Sequence, residues 1–410
     1  MDIMRAYKFS IYPDAKRQKE IDGRILLAKE YYNLLLEKTI GSYKEEKAGT
    51  AMAALNRFAK EIEKDRRYLL LYSQTRCEIK FRVLKAYQNF FRRVREKKAG
   101  KRVKAGFPRF KSIDKYRSIT YPQDNGAFSI EKAGRKNMLR ISRIGRVQIE
   151  PHRAIEGKIK TMTIKRESNR YYAIFAVMKE MEVPEIVDTN PVGIDMGLNS
   201  FIATSDGIKV EKPKFVKRSA KHIARWQRTI ARRIKGSKRR EKAKARLQKK
   251  WKCATNQSND FMHKLSNELV NSSYTSFAVE RLSIQNMVRN HSLAQSIYNA
   301  SWNRFMQFLS YKAESAGMRV IEVDARNTSR TCSNCGNMQD MPLSERTYAC
   351  ARCGMRMDRD INASINILNR AREGHSRSNA QGDNVRPQHG AVVAELRTYP
   401  GTNAGGSLGL

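Results

Sequence analysis

The apolar positions of this chain change period along its length, and each change marks a different kind of element. Tyr7, Phe9 and Ile11 alternate with polar neighbours in "RAYKFSIY", which predicts a strand stopped by Pro13. Ile21, Ile25, Ala28, Tyr32 and Leu35 then recur at steps of four and three. The same stepping returns at Leu55, Phe58 and Ile62, and at Ile79, Val83, Tyr87, Phe90 and Val94, so residues 14–98 read as a helical block. From about 117 to 180 the period falls to two, with turns at Gly134, Gly145 and Ser168-Asn169. Several short strands at such spacing predict a small barrel. Because Tyr7–Ile11 is a strand as well, the helices of 14–112 are expected to be inserted into that barrel.

Two segments break these patterns with positive charge. "KKAGKRVKAGFPRFK" (97–111) sets Phe107 and Phe110 among basic residues such as Arg109, which suits backbone and stacking contacts to nucleic acid as well as a plain basic linker. Residues 217–252 hold 17 Lys/Arg and one acid, Glu241. Within them Ile223, Trp226, Ile230 and Ile234 form one narrow apolar seam, and Ala243, Leu247 and Trp251 another, with a turn at Gly236-Ser237. A basic helical hairpin packed along these seams would offer Arg225, Arg228, Arg232 and Lys235 to phosphates. The tail from 373, rich in Gly, Asn and Ser without periodicity, is expected to be disordered.

Composition sharpens this picture. Lys+Arg 81 against Asp+Glu 40 leaves a formal charge of +41 over 410 residues. Solubility asks for only ~2–8 on a small domain, and so large an excess repels itself unless a polyanion neutralises it. Nucleic acid is the expected partner, far ahead of a membrane surface. No run approaches 18 consecutive apolar residues, and the opening "MDIMRAYKFSIYP" is too short and polar for a secretory signal. Four of the six cysteines fall in C-x-x-C pairs, which points to metal binding in a reducing compartment.

Those pairs, Cys332/Cys335 and Cys350/Cys353, are separated by 14 residues, and each second cysteine precedes a glycine. This is close to zinc-ribbon spacing, in which two knuckles bring four thiolates to one structural ion; an iron–sulfur cluster or a disulfide pair fits less well. Cys77 and Cys253 have no partners by spacing and read as packing residues. Three acids stand at the ends of apolar runs. Asp195 closes the first strand of a hairpin in "NPVGIDMGLNSFIATSDG", and Glu280 ends "SFAVE". Asp360 opens a helix whose Ile361, Ile365 and Leu368 would pack on a sheet. Singly, each reads equally as a cap or a surface acid. In that order, strand Asp, strand Glu and helix Asp match the layout of RNase H-like nucleases. There three carboxylates hold two magnesium ions about 3.5–4 Å apart.

Together "GIDMGLNSFIATSDG", "VERLSIQNM", "TSRTCSNCG", "CARCGMRMDRDINASINI" and "AYQNFF…GFPRFK" resemble the transposon-encoded TnpB family over roughly residues 1–390. Its members are compact RNA-guided DNA nucleases related to type V CRISPR effectors. The resemblance implies an α+β multidomain fold. A wedge β-barrel would take residues 1–12 and 113–185, and a helical recognition region 13–112. A RuvC-like nuclease domain would span 186–325 and 354–372, with a zinc ribbon that binds target nucleic acid at 326–353. Asp195, Glu280 and Asp360 would be the RuvC triad holding catalytic magnesium. Asp360 is preferred to Asp358 because it begins the D-x-N-A motif of residues 360–363. The four cysteines would hold structural zinc. The expected partners are a guide RNA from the transposon end, one protein per guide, and double- and single-stranded target DNA beside a short flanking motif. Ser73, Gln74 and Cys77 fall near the flank-reading positions. The implied location is the cytoplasm or nucleoid of a prokaryote. A nuclease-inactive RNA-guided repressor and a DNA-joining transposase are the alternatives.

Overall fold

The computed structural model describes residues 2–46, 52–101, 103–123, 126–167, 170–180, 187–213, 215–281, 301–324, 326–342 and 345–378. They form two compact units, Asp2–Glu180 and the described residues from 187 onward. The fold is mixed α/β. Among the described residues no helix is long and apolar enough to cross a membrane.

In the first unit seven strands make one antiparallel sheet: β1 (Asp2–Tyr12), β2 (Ser118–Tyr121), β3 (Phe128–Ala133), β4 (Lys136–Ile141), β5 (Gly145–Glu150), β6 (Lys158–Glu167) and β7 (Arg170–Glu180). Their order is β2-β6-β7-β1-β5-β4-β3. The first strand is therefore central, with Phe9 opposite Ala173 of β7 and Ile11 opposite Ile149 of β5. A strand from the start of the chain can sit there only if the segment after it leaves the sheet and the chain returns later. That excursion is α1 (Ala15–Glu46), α2 (Met52–Ile62), a 3₁₀ turn at Arg66–Leu70, and α3 (Ser73–Lys98). The sheet curls, so that Phe128 on one edge strand packs against Phe175 of β7, 6.0 Å between ring centroids. At the other edge the Tyr121 hydroxyl donates to the Ser142 carbonyl just after β4 (3.4 Å). The predicted inward residues Tyr7, Phe9 and Ile11 share one core with the helical stripes, from which only Val94 is half-buried. The predicted turn at Ser168-Asn169 lies outside the described residues.

The second unit is built on a five-stranded sheet: β8 (Pro191–Asp195), β9 (Ile202–Thr204), β10 (Lys209–Val210), β11 (Ser276–Glu280) and β12 (Arg319–Val323), in the order β10-β9-β8-β11-β12. Strands β8, β11 and β12 are parallel, and β9 and β10 complete an antiparallel edge. Between them run α4 (Phe215–Ala231), α5 (Lys238–Val270) and α6 (Trp302–Ser315). A small ladder of β13 (Thr347–Ala349) and β14 (Arg356–Asp358) comes next, and its second strand runs straight into α7 (Arg359–Ser378).

Strand alternation sorts the two faces of this sheet. Val192, Ile194, Phe277 and Val279 point to one side, into a core with Met262 and Leu265 of α5 and Trp302, Phe305 and Leu309 of α6. Gly193 and Ala278, paired in register, point to the other side and meet α7. Two glycine- and alanine-sized positions let that helix lie close.

Several expectations need correction. The hairpin seam does not reach Ile234, which is 81% exposed, because α4 ends at Ala231 and the residue falls in the turn. Trp251 is exposed rather than packed, although Ile223 and Ala243 are buried as expected. Cys253 is exposed, so the packing reading fails for it, while Cys77 is half-buried. Ile361 and Ile365 are only partly buried; Ala363, Ile367, Leu368 and Ala371 form the inner face of α7 instead. The helix also continues to Ser378, so disorder does not begin at 373. Residues beyond 378 lie outside the described part.

Candidate active site

The same alternation that turns Gly193 and Ala278 toward α7 does so for the next residues on that face, Asp195 and Glu280. They close adjacent parallel strands, immediately after the pair Ile194–Val279. The carboxyl ends of parallel strands are where open α/β sheets hold their ligands. Asp360 enters from the third side, in the first turn of α7. Each acid thus comes from a different element, and packing of α7 over the two small residues brings them together.

Their electrostatics reflect that proximity. Burial first, then the carboxylates of Glu280 and Asp360, push the Asp195 carboxyl well above the usual range; the Met196 N–H and the Arg359 guanidinium oppose this only in part. Burial also raises Glu280, against a hydrogen bond donated by the Thr328 hydroxyl and the charge of Arg370. Such a donor set fits a cation, since carboxylates gathered in a buried place are mutually repelled until positive charge offsets them. Their oxygens are nevertheless not drawn to ligating distance. Among the described residues, the four cysteines are the only group of three or more His, Cys, Asp or Glu side chains whose donor atoms all lie within 4.8 Å of one another.

Asp358 has a different task. Its Oδ1 accepts the backbone N–H groups of Asp360 (2.9 Å) and Ile361 (3.3 Å), capping α7. Its Oδ2 pairs with Lys209 of β10, whose ammonium also lies 4.0 Å from Asp360. Burial raises Asp358, but the Lys209 ammonium and those N–H groups outweigh it and hold the acid below the usual carboxylate range. Lys209 was not singled out from the sequence; a lysine on a short edge strand carries no signal there.

The cysteine centre consists of two knuckles with matching hydrogen bonds. The Cys332 N–H donates to the Asn337 carbonyl (2.8 Å) and the Gly336 N–H to the Cys332 carbonyl (3.0 Å). Cys350 with Met355 (2.9 Å) and Gly354 with Cys350 (3.0 Å) repeat the pattern. Gly336 and Gly354 have φ of 71° and 73°, the left-handed conformation that explains glycine at both positions. Sγ separations are 3.7 Å for Cys332–Cys353 and 3.6 Å for Cys335–Cys350. Bonds of ~2.3 Å from sulfur to a tetrahedral zinc set edges of about 3.8 Å, so the four thiols fit a structural zinc. Tyr348, fully buried beneath them, donates to the Arg330 carbonyl (3.0 Å).

The remaining sequence-predicted residues are dispersed. Ser73 opens α3 and is exposed, with Gln74 and Cys77 half-buried behind it. Phe107 stacks on Phe90 at 4.8 Å between centroids and leaves 40% of its surface free, beside an exposed Arg109. Arg225 and Arg228 on α4, and Arg232 and Lys235 after it, are all exposed.

Comparison with known proteins places this arrangement. Residues 302–367 match the model of the Cas12f1-like TNB domain, and residues 175–291 match OrfB_IS605, a family described as "Probable transposase". A protein of Streptomyces pristinaespiralis named as an RNA-guided DNA endonuclease is 30% identical over 399 residues, spanning 94% of this chain and 93% of its own. InsQ of Escherichia coli strain K12, named in the same terms, is 26% identical over 300 residues, 69% of this chain and 71% of its own. A solved Cas12f1–sgRNA–target DNA complex contains a chain with a TM-score of 0.60 at 13% identity, covering 89% of this chain and 98% of that one. The fold is that of the compact Cas12 effectors. The chain itself belongs to the TnpB family.

Proposed function

We propose that this protein is an RNA-guided, magnesium-dependent DNA endonuclease of a transposable element, cutting guide-matched DNA next to a short flanking motif. The observation that carries the reading is the convergence of Asp195, Glu280 and Asp360 from two adjacent strand ends and one helix start. In this reading the second unit is an RNase H-like RuvC domain, the curled sheet of the first is the wedge, and its helices are the recognition region. The names of the relatives and the charge of +41 support nucleic-acid partners.

Asp195, Glu280 and Asp360 would hold the magnesium ions. When bound, magnesium supplies a nucleophilic hydroxide near neutral pH and offsets the charge on the leaving oxygen. The chain's own residues set the stage for this. Asp358 and Lys209 fix the start of α7 and so the direction of Asp360. Arg359 adds positive charge beside Asp195. Guide pairing would read sequence, while exposed cations such as Arg225, Arg228, Arg232 and Lys235 hold the backbone.

The test is to express the protein with its native flanking DNA, so that any guide co-purifies, and to challenge it with plasmids carrying the matched target beside a randomised flank. Magnesium-dependent cutting that needs the matched guide and selects one flank supports the reading. Guide-directed binding without cutting would make it a repressor. End-joining without bound RNA would make it a transposase.

A further inference from the structure

The segment between β12 and the first cysteine knuckle contains a buried polar chain that the chemistry above does not use. Thr328 is 2% exposed, and its hydroxyl donates to Glu280 Oε1. Its carbonyl accepts Nδ2 of Asn366 (2.9 Å), which also donates to the Thr331 carbonyl (2.7 Å). One turn earlier on α7, Asn362 Nδ2 donates to the same Thr331 carbonyl (2.8 Å). The Oδ1 of Asn362 accepts the N–H of Ser333, which sits inside the knuckle between Cys332 and Cys335. Asn362 is fully buried, and Asn366 nearly so. Hydrogen bonds therefore run without a break from the knuckle backbone through two helix amides to the carboxylate of Glu280.

The Asn366 amide uses both of its donors, and the Asn362 amide uses one donor and its acceptor; a buried amide bonded in this way holds one geometry, because any shift strands a polar group. The chain of bonds also begins at a part of the second unit whose own shape depends on four thiols. We infer that Thr328 is a positioning residue for Glu280, and that Asn366 and Asn362 register it against the first cysteine knuckle, so that the cysteine site and the carboxylate site are coupled through residues 328–333. This rests on the proposal that Glu280 is a metal ligand. Residues that orient metal ligands from behind are worth on the order of 10–100-fold in metal affinity or activity.

The experiment uses the full-length chain freed of nucleic acid, titrated with Mn²⁺ and followed by the electron paramagnetic resonance signal of the free ion. Cleavage against magnesium concentration is measured in the guide-loaded form. Thr328→Val should weaken Mn²⁺ binding about 10–100-fold and raise the magnesium needed for half-maximal cutting, with guide and target binding unchanged. Thr328→Ser, which keeps the hydroxyl, should behave as wild type. Asn366→Ala should act in the same direction, and the double variant should be no worse than the weaker single one, as expected of residues in one network. Thr328→Val with wild-type Mn²⁺ affinity, or Thr328→Ser as impaired as Thr328→Val, would overturn the inference while leaving the nuclease reading intact. Wild type lacking any Mn²⁺ site sensitive to Asp195→Ala would overturn that reading, and this inference with it.

Discussion

A side chain at Gly193 would collide with Ser364: its Cβ would lie 2.0 Å from the Ser364 carbonyl oxygen on α7, and 2.9 Å from the Cβ of Leu368. This contact decides how near the helix bearing Asp360 comes to the strand bearing Asp195. Backbone cannot yield cheaply, so Gly193→Ala should push the helix off the sheet. We expect a loss of about 1–3 kcal/mol. Cleavage should fall further than the folded fraction does, measured well below the melting temperature. Full activity with unchanged stability would mean that α7 is not held at this point.

Asp358 and Asp360 should separate cleanly. Asp358 caps the helix and pairs with Lys209, so Asp358→Ala should cost about 1 kcal/mol of stability and only part of the cutting. Asp358→Asn, which can still cap, should retain more stability. Asp360→Ala should abolish cutting at little cost in stability. Thermal melting beside a cleavage assay checks this, and the reverse ranking would mean that the two acids have exchanged roles.

Asp195 lies among like charges. In metal-free buffer Asp195→Asn should therefore melt higher than wild type. Added magnesium should raise the wild-type melting temperature, because a ligand of the folded state stabilises it by mass action, and leave the variant almost unmoved. Calorimetry with and without magnesium decides it; equal shifts in the two proteins would place the ion elsewhere.

The four thiols should bind one zinc per chain. Cys350→Ser or a strong chelator should open the β13–β14 ladder and expose the segment around Tyr348 to protease. Metal analysis and limited proteolysis report this directly. An intact ladder without metal would contradict the closed tetrahedral site.

Much of this was legible in the sequence, for identifiable reasons. The stripes from Ile21 to Leu35 and from Ile79 to Phe90 are buried because large apolar residues at helical spacing have one place to go. The cysteine pairs show in their spacing, and the ends of apolar runs flagged Asp195 and Glu280. What stayed hidden depends on small and polar residues. Periodicity favoured Ile361 and Ile365 as the packed face of α7, yet Gly193 and Ala278 leave room only for a close approach. Asn362, Ser364 and Asn366 are buried there in their place. Their bonds to residues 328–333 are long-range and leave no local trace. Lys209 and Thr328 are invisible for the same reason.

The central claim is that the carboxylates at the ends of β8, β11 and α7 cut DNA. The most direct test compares wild type with Asp195→Ala, each loaded with its guide RNA, on one matched target with magnesium or EDTA, scoring binding and cleavage in the same samples. The account predicts that both proteins bind the target alike, and that only wild type with magnesium cuts it. Cutting by Asp195→Ala at the wild-type rate, or by wild type in EDTA, would contradict it.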